Sequence, residues 1–192
     1  MEKKETAKER ILRAAGDLFY REGMRAVGVD RIIAESGVAK ASFYRNFATK
    51  DDLIVAYLEQ RHARNMDNLQ EALRRYPNDP LEQLRFLIRR LIERMQSPDY
   101  RGCAFMNTSV EFPELEHPGH QVAVGRRNEL WTAIREIAGR TRARDPEELT
   151  GQLSMLSSGA MMVAYMNREA FNYEYFEHAA QTLIDRQVEP LD

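Results

Sequence analysis

The chain has 192 residues, of which 43% are hydrophobic and 30% charged, and its formal net charge at pH 7 is −2, which is typical of a globular protein with one or two domains. It contains no run of about 18 apolar residues, and its charged N-terminal segment lacks an apolar signal core, so we expect neither a membrane span nor a secretion signal and place the protein in the cytoplasm. The single cysteine, Cys103, excludes an internal disulfide and a metal cage built from cysteine alone.

Residues that favour helix dominate the composition, and alternating strand patterns are nearly absent, so the sequence predicts an all-α fold of about nine helices. The first helix begins with a capping-box pattern, Thr6 followed by Glu9. Gly23 is predicted to end it in the left-handed conformation. One face carries apolar residues at helical spacing: Ile11, Leu12, Ala14, Ala15, Leu18 and Phe19.

Two short helices follow, separated by a glycine. The second helix is predicted over residues 29–36, with Gly28 as its N-cap and Gly37 at its end. "VAK" is then a turn, and "ASFYRNF" is a third helix of about two turns. Phe43 and Phe47 are four residues apart and face inward together.

The remaining helices are predicted from their start and stop signals. Thr49 caps a fourth, longer helix that extends to about residue 76. Asp79-Pro80 and Asp145-Pro146 each place an N-cap before a proline at the first helical position, with an acid at the third. Further helical segments are predicted at about 80–95, 102–112, 119–141, 146–168 and 173–187.

A supporting helix followed by two short helices and a glycine-containing turn is the helix-turn-helix arrangement, whose last helix fits the DNA major groove. Small Ala41 and Ser42 would let this helix approach the base edges, and Lys50 could reach a phosphate. Residues 38–50 carry three basic groups and no acid, so the rest of the chain has a net charge of −5. The predicted contact residues are Lys40, Ala41, Ser42, Tyr44, Arg45 and Lys50.

The segment "RILRAAGDLFYREGMRAVGVDRIIAESGVAKASFYRNFATKDDLIVAYLE" resembles the N-terminal domain of the TetR family of transcriptional regulators. The resemblance covers about residues 5–60. It implies that Lys40, Tyr44 and Lys50 contact the DNA backbone, and it places the other three predicted contact residues near bases or phosphates. The sequence departs from the family at Gly28, where Ser or Thr is common, and at Arg45, where His is common.

The resemblance implies a homodimer that binds an operator and senses a small molecule. It predicts a DNA-binding domain at residues 1–48, with the helix-turn-helix motif at about 28–47, and a domain for ligand binding and dimerisation at 49–192. We expect a repressor that a small-molecule effector releases from double-stranded operator DNA. A DNA binder or activator that needs no ligand, and an enzyme built on a helical bundle, are the alternatives.

The effector pocket has no firm signature in the sequence. The run "MLSSGAMMVAYM" is rich in methionine, which suits adaptable pockets but also fills cores, and its small residues would let two helices approach in a dimer. The predicted pocket residues are Phe86, Cys103, Phe105, Met106, Asn107, Trp131, Met162 and Tyr165.

Catalytic and metal-binding patterns are weak. His117 and His120 form an H-x-x-H pair, but a metal site needs at least three convergent ligands, so the sequence predicts no metal site and no cofactor. Cys103 is either a redox-sensitive thiol or a small buried apolar residue. No nucleophile triad, paired carboxylates or phosphate-binding loop is present in the sequence, and we therefore predict that the protein is not an enzyme.

Overall fold

The computed structural model describes residues 5–188, and these form nine helices with one isolated bridge between Ala143 and Val188. The predicted all-α fold is confirmed. None of these helices is long and apolar enough to cross a membrane. In chain order the helices are α1 (Ala7–Glu22), α2 (Val29–Ser36), α3 (Lys40–Asn46), α4 (Lys50–Arg75), α5 (Pro80–Gln96), α6 (Ala104–Glu111), α7 (Pro118–Ala138), α8 (Pro146–Met166) and α9 (Tyr173–Gln187).

The predicted helix starts are confirmed by their hydrogen bonds. The Glu9 amide donates to Thr6 Oγ1 at 3.2 Å, and the Glu9 carboxylate accepts from the Thr6 amide at 2.7 Å, which completes the capping box. Asp79 and Asp145 cap α5 and α8 with proline in the first turn. These side chains satisfy backbone N–H groups that have no partner within their own helix.

The end of α1 differs from the prediction. Gly23 follows α1, but its φ of 91° and ψ of 150° lie outside the left-handed helical region that the sequence predicted. A positive φ with extended ψ is open almost only to glycine, so this position still requires that residue. Gly37, after α2, does adopt the left-handed conformation, with φ 61° and ψ 29°.

The described part of the chain falls within two compact units. Within the described residues, the first unit consists of residues 5–62 and 104–126, and the second of residues 63–103 and 127–188. The first unit therefore contains α6 and the beginning of α7 in addition to the helices of the helix-turn-helix. The sequence-based division into 1–48 and 49–192 groups these helices differently and stays a prediction.

The first unit has a continuous apolar core in which α1 packs against α2 and α3. Phe19 and Tyr57 meet edge to face, with ring centroids 5.8 Å apart, and so connect α1 to the start of α4. Phe43 is completely buried, as is Ile32 of α2. Because these side chains hold α2 and α3 on α1, the outward face of α3 is fixed in position by its inward face.

The second unit contains two apolar clusters. One is built around Leu84, Ile137, Leu149, Leu153 and Ile184, from α5, α7, α8 and α9. The other includes Met95, Tyr100, Ala164 and Phe176. The hydroxyl of the buried Tyr100 donates to the Met161 carbonyl at 3.1 Å, so the polar group of this side chain has a hydrogen-bond partner.

Candidate nucleic-acid interface

The helix-turn-helix is formed by α2, a three-residue turn and α3. Phe43 and Phe47 are buried, as the sequence predicted, and Val38 is buried with them; the three anchor the turn and α3 to the rest of the first unit. The Ala39 carbonyl accepts from the Ser42 and Phe43 amides at 2.8 and 3.1 Å, which starts α3 without a side-chain cap. The absence of a capping side chain leaves the N-terminus of α3 lined by the small side chains of Ala39 and Ala41.

The outward face of α3 has the character that groove recognition requires. Ala41, Tyr44 and Arg45 are exposed and Ser42 is half-buried. Tyr44 rests edge to face on the buried Phe43 ring, with centroids 5.3 Å apart. Its ring is thereby positioned while its hydroxyl remains at the surface. The structure brings these predicted contact residues onto one short helix, and their contact with DNA stays a prediction.

The three basic residues of this region differ in their surroundings. Lys40 Nζ lies 3.1 Å from the Asp30 carboxylate, and this hydrogen bond raises the pKa of the lysine. Lys50 Nζ donates to the Arg25 carbonyl at 3.3 Å, and burial lowers the pKa of its ammonium group. Arg45 has no hydrogen bond or ion pair to any of residues 5–188. Arg45 is therefore the basic group of α3 that is available to an external phosphate or base.

Helix α6 and the loop after it are attached to the segment between α1 and α2. The Glu111 carboxylate accepts from the Arg25 amide at 2.8 Å. The Arg25 guanidinium contacts the Glu114 carboxylate at 3.2 Å and lies 5.0 Å from the Phe112 ring centroid. A Cβ on Gly23 would lie 3.3 Å from the Glu111 carboxylate oxygens, a tight contact that adds to the preference for glycine set by its positive φ. Sequence reasoning missed these contacts, because they join residues 86 or more positions apart.

The histidine pair has structural partners. The His117 ring stacks on Phe112 with centroids 4.1 Å apart, and its Nε2 lies 3.6 Å from the Asp51 carboxylate. His120 Nδ1 is 2.7 Å from the Phe112 carbonyl. Within residues 5–188 no group of three or more His, Cys, Asp or Glu side chains is arranged to hold a metal ion.

The predicted pocket residues are divided between the two units of the structure. Phe105, Met106 and Asn107 belong to the first unit, whereas Phe86, Cys103, Trp131, Met162 and Tyr165 belong to the second. Phe86 is buried beside Tyr76, and Met162 and Tyr165 are exposed on α8. Cys103 is half-buried just before α6. Their role in ligand binding stays a prediction.

An open groove lies between α8 and α9 in the second unit, and none of the eight predicted pocket residues lines it. Its floor and walls are apolar and include Met155, Gly159, Val163, Phe171 and Tyr175. Several of these side chains are strongly exposed, with Met155 at 69% and Tyr175 at 73%. A contiguous apolar face of this kind marks a surface that another molecule covers.

Comparison with known proteins places this arrangement in a family. Residues 11–57 match the family model described as "Bacterial regulatory proteins, tetR family". A TetR-family transcriptional regulator from Streptomyces coelicolor, SCO4454, is 33% identical, with a TM-score of 0.89 over 95% of this chain and 96% of its own. A regulator from Bacillus subtilis, YezE, is 22% identical over 86% of this chain and 82% of its own length.

One further relative has a described direction of action. The transcriptional activator FasR from Mycolicibacterium smegmatis is 32% identical over 55% of this chain, a match that spans 48% of its own length. All of these relatives are regulators of transcription and none is described as an enzyme, which agrees with the prediction from the sequence. The chain belongs to the TetR family of DNA-binding transcriptional regulators.

Proposed function

We propose that the protein is a homodimeric repressor that binds a near-palindromic operator and is released by a small-molecule effector. The observation that carries the DNA-binding part is the outward face of α3, where Arg45 has no partner among residues 5–188 and the Tyr44 ring packs edge to face on Phe43. Because a transcriptional regulator must reach its operator DNA, we propose that the protein acts in the cytoplasm.

The dimer contributes the geometry of recognition. Two copies of α3 would enter successive major grooves about 34 Å apart, so the symmetry of the protein would be mirrored in the sequence of its site. The exposed apolar face of α8 and α9 is the surface that we propose for pairing, because it contains both small residues and large exposed apolar ones. This proposal is in keeping with the dimers formed by regulators of this family.

Selection of bound duplexes from a random DNA pool tests the proposal. We expect the recovered sequences to converge on an inverted repeat whose half-site centres are about 10 base pairs, or a multiple of a helical turn, apart. A recovered pool without a shared motif, or with a single half-site only, would contradict the proposal that a dimer binds a near-palindromic operator.

Release by an effector requires that the ligand bind the DNA-incompetent state more tightly than the competent one. The contacts of Glu111 and Glu114 with Arg25 support a route for this coupling inside the first unit, because they attach α6 to the segment that leads directly into α2. Lys50, at the start of α4, donates to the Arg25 carbonyl and so attaches α4 to the same segment. A displacement of α6 would therefore alter the support of the helix-turn-helix.

Replacing Glu111 with Ala tests this route without knowledge of the effector. The Arg25 amide would lose its acceptor, so its hydrogen exchange should accelerate and operator affinity should change by about fivefold or more, the lower range of allosteric coupling. The control is Glu116→Ala, which removes an exposed carboxylate that forms no hydrogen bond or ion pair with residues 5–188. Equal behaviour of the two variants would show that the contact of α6 does not support the DNA-binding helices.

Activation is the second candidate, because one relative is an activator. A promoter carrying the selected operator, placed before a reporter gene, separates the two directions of control. Reporter output that falls when the protein is expressed supports repression. Output that rises supports activation and leaves the DNA-binding proposal in place.

A further inference from the structure

We infer that Arg127 in the second unit is the recognition point for an organic carboxylate, which makes an organic acid the chemical class of the effector. This inference rests on the proposed function, since it assigns the ligand of a ligand-responsive regulator. Arg127 lies on α7 and is half-buried. The inference depends on the partners that its guanidinium has and on those that it lacks.

Arg127 is held by two hydroxyl groups of α8. Its Nη2 donates to Ser158 Oγ at 2.5 Å and lies 3.3 Å from Ser154 Oγ. Ser158 Oγ in turn donates its proton to the Ser154 carbonyl at 2.6 Å, which leaves the hydroxyl oxygen to accept from the arginine. The guanidinium is therefore fixed in position by neutral groups that do not cancel its charge.

No carboxylate of residues 5–188 forms an ion pair with Arg127. Many other arginines of the second unit pair with an acid: Arg74, Arg75, Arg85, Arg89, Arg90, Arg94 and Arg135. The adjacent Arg126, in the first unit, pairs with Glu59 at 2.8 Å. Partial burial of a cation without a counterion is costly, and an anionic ligand would relieve that cost.

The open side of the guanidinium suits a carboxylate. Both contacts with the serines use Nη2, so Nε and Nη1 have no acceptor among residues 5–188, and neither is a buried atom. Each of these free N–H groups can donate a charge-assisted hydrogen bond to a carboxylate oxygen. A single cation matches the charge of a carboxylate better than that of a phosphate dianion.

Trp131 indicates what kind of group the carboxylate of the ligand is attached to. It lies one helical turn after Arg127, and the guanidinium carbon is 5.9 Å from its ring centroid. The indole is half-buried and packs against the apolar cluster of the second unit. An indole face beside the cation favours an acid with an apolar body over a small inorganic anion.

Intrinsic fluorescence tests this site directly, because Trp131 is the only tryptophan in the chain. The full-length protein is titrated with hexanoate and phenylacetate, with the neutral amides hexanamide and phenylacetamide, and with inorganic phosphate. We expect at least one carboxylate to change the emission with a Kd of about 1 mM or below, while its amide does not. Failure of both carboxylates to saturate, or equal binding by an amide or by phosphate, would overturn the assignment.

Variants assign the effect to the guanidinium. Arg127→Gln should raise the Kd of the carboxylate by about tenfold or more, and Arg127→Lys should restore part of the affinity because it keeps the positive charge. Arg135→Gln, on the same helix and paired with Glu147, is the matched control and should bind like the unchanged protein. An unchanged Kd in Arg127→Gln, or in Arg127→Lys if the first variant does not fold, would overturn the proposal.

Operator binding is measured on the same preparations to separate the two proposals. Protein that binds the selected operator but shows no carboxylate-dependent emission change keeps the regulator proposal and loses this one. Protein that binds carboxylates through Arg127 but no selected duplex keeps the anion site and loses the proposed function.

Discussion

Charge reversal at Arg45 is expected to weaken operator binding by about 100-fold or more. Each good contact from an arginine to a base or phosphate contributes about 1–3 kcal/mol, and a dimer would lose two of them. Glutamate would add repulsion from the phosphates, while the fold should be unaffected because Arg45 is exposed and forms no hydrogen bond or ion pair with the described part of the chain. Electrophoretic mobility shift or fluorescence anisotropy with the selected operator measures this change.

The salt dependence of binding shows which kind of contact Arg45 makes. Arg45→Gln should reduce the slope of log affinity against log salt by about one per protomer if the side chain lies on a phosphate. A loss of affinity confined to particular operator bases would instead indicate direct base reading. Arg64→Glu on α4 is the matched control, because Arg64 is also exposed and without a partner among residues 5–188. Similar losses in both variants would mean that general charge, and not α3, controls binding.

The helices could be predicted from the sequence because their signals are local. Thr6 with Glu9 and the two Asp-Pro pairs specify helix starts within a few residues, and these were confirmed at α1, α5 and α8. The spacing of Phe43 and Phe47 was enough to assign the inward face of α3. Gly23 shows the limit of such signals. A glycine after a helix indicates positive φ, but its position in the chain does not specify ψ, which here is 150° and extended.

The arrangement of polar partners could not be predicted, because it depends on contacts between residues far apart in the chain. Lys40 and Arg45 look equivalent in the sequence, yet Asp30 pairs with the first and no described residue pairs with the second. Arg127 has the same limitation. Its position four residues before Trp131 is visible in the sequence. Its hydrogen bonds with two serine hydroxyls of α8 are visible only in the structure.

The second large effect is expected from Gly159→Arg, which should convert the proposed dimer to a monomer. Gly151, Met155, Gly159 and Val163 are exposed at intervals of four residues and form one stripe along α8. A stable protein interface buries about 1,200–2,000 Å² of well-packed surface, and an arginine in the middle of such a stripe would hold the two copies apart. The groove between α8 and α9 continues this surface.

The protomer itself should tolerate the substitution. A Cβ on Gly159 would meet no atom within 4 Å, and replacing a helical glycine by a better helix former favours the helix by roughly 0.5–1 kcal/mol. Any loss of function would therefore come from the interface and not from unfolding. Circular dichroism and thermal unfolding check this point, and light scattering after size-exclusion chromatography measures the mass.

Loss of the dimer should weaken operator binding by about 10²–10⁴-fold, because each α3 would then bind its half-site without the gain from its linked partner. Gly125→Arg on α7 is the matched control, since its Cβ also meets no atom within 4 Å and it lies outside the stripe. It should remain dimeric and bind the operator normally. If Gly159→Arg has the mass of a dimer, the α8 stripe is not the pairing surface. If it is monomeric yet binds a full operator with unchanged affinity, recognition does not depend on pairing.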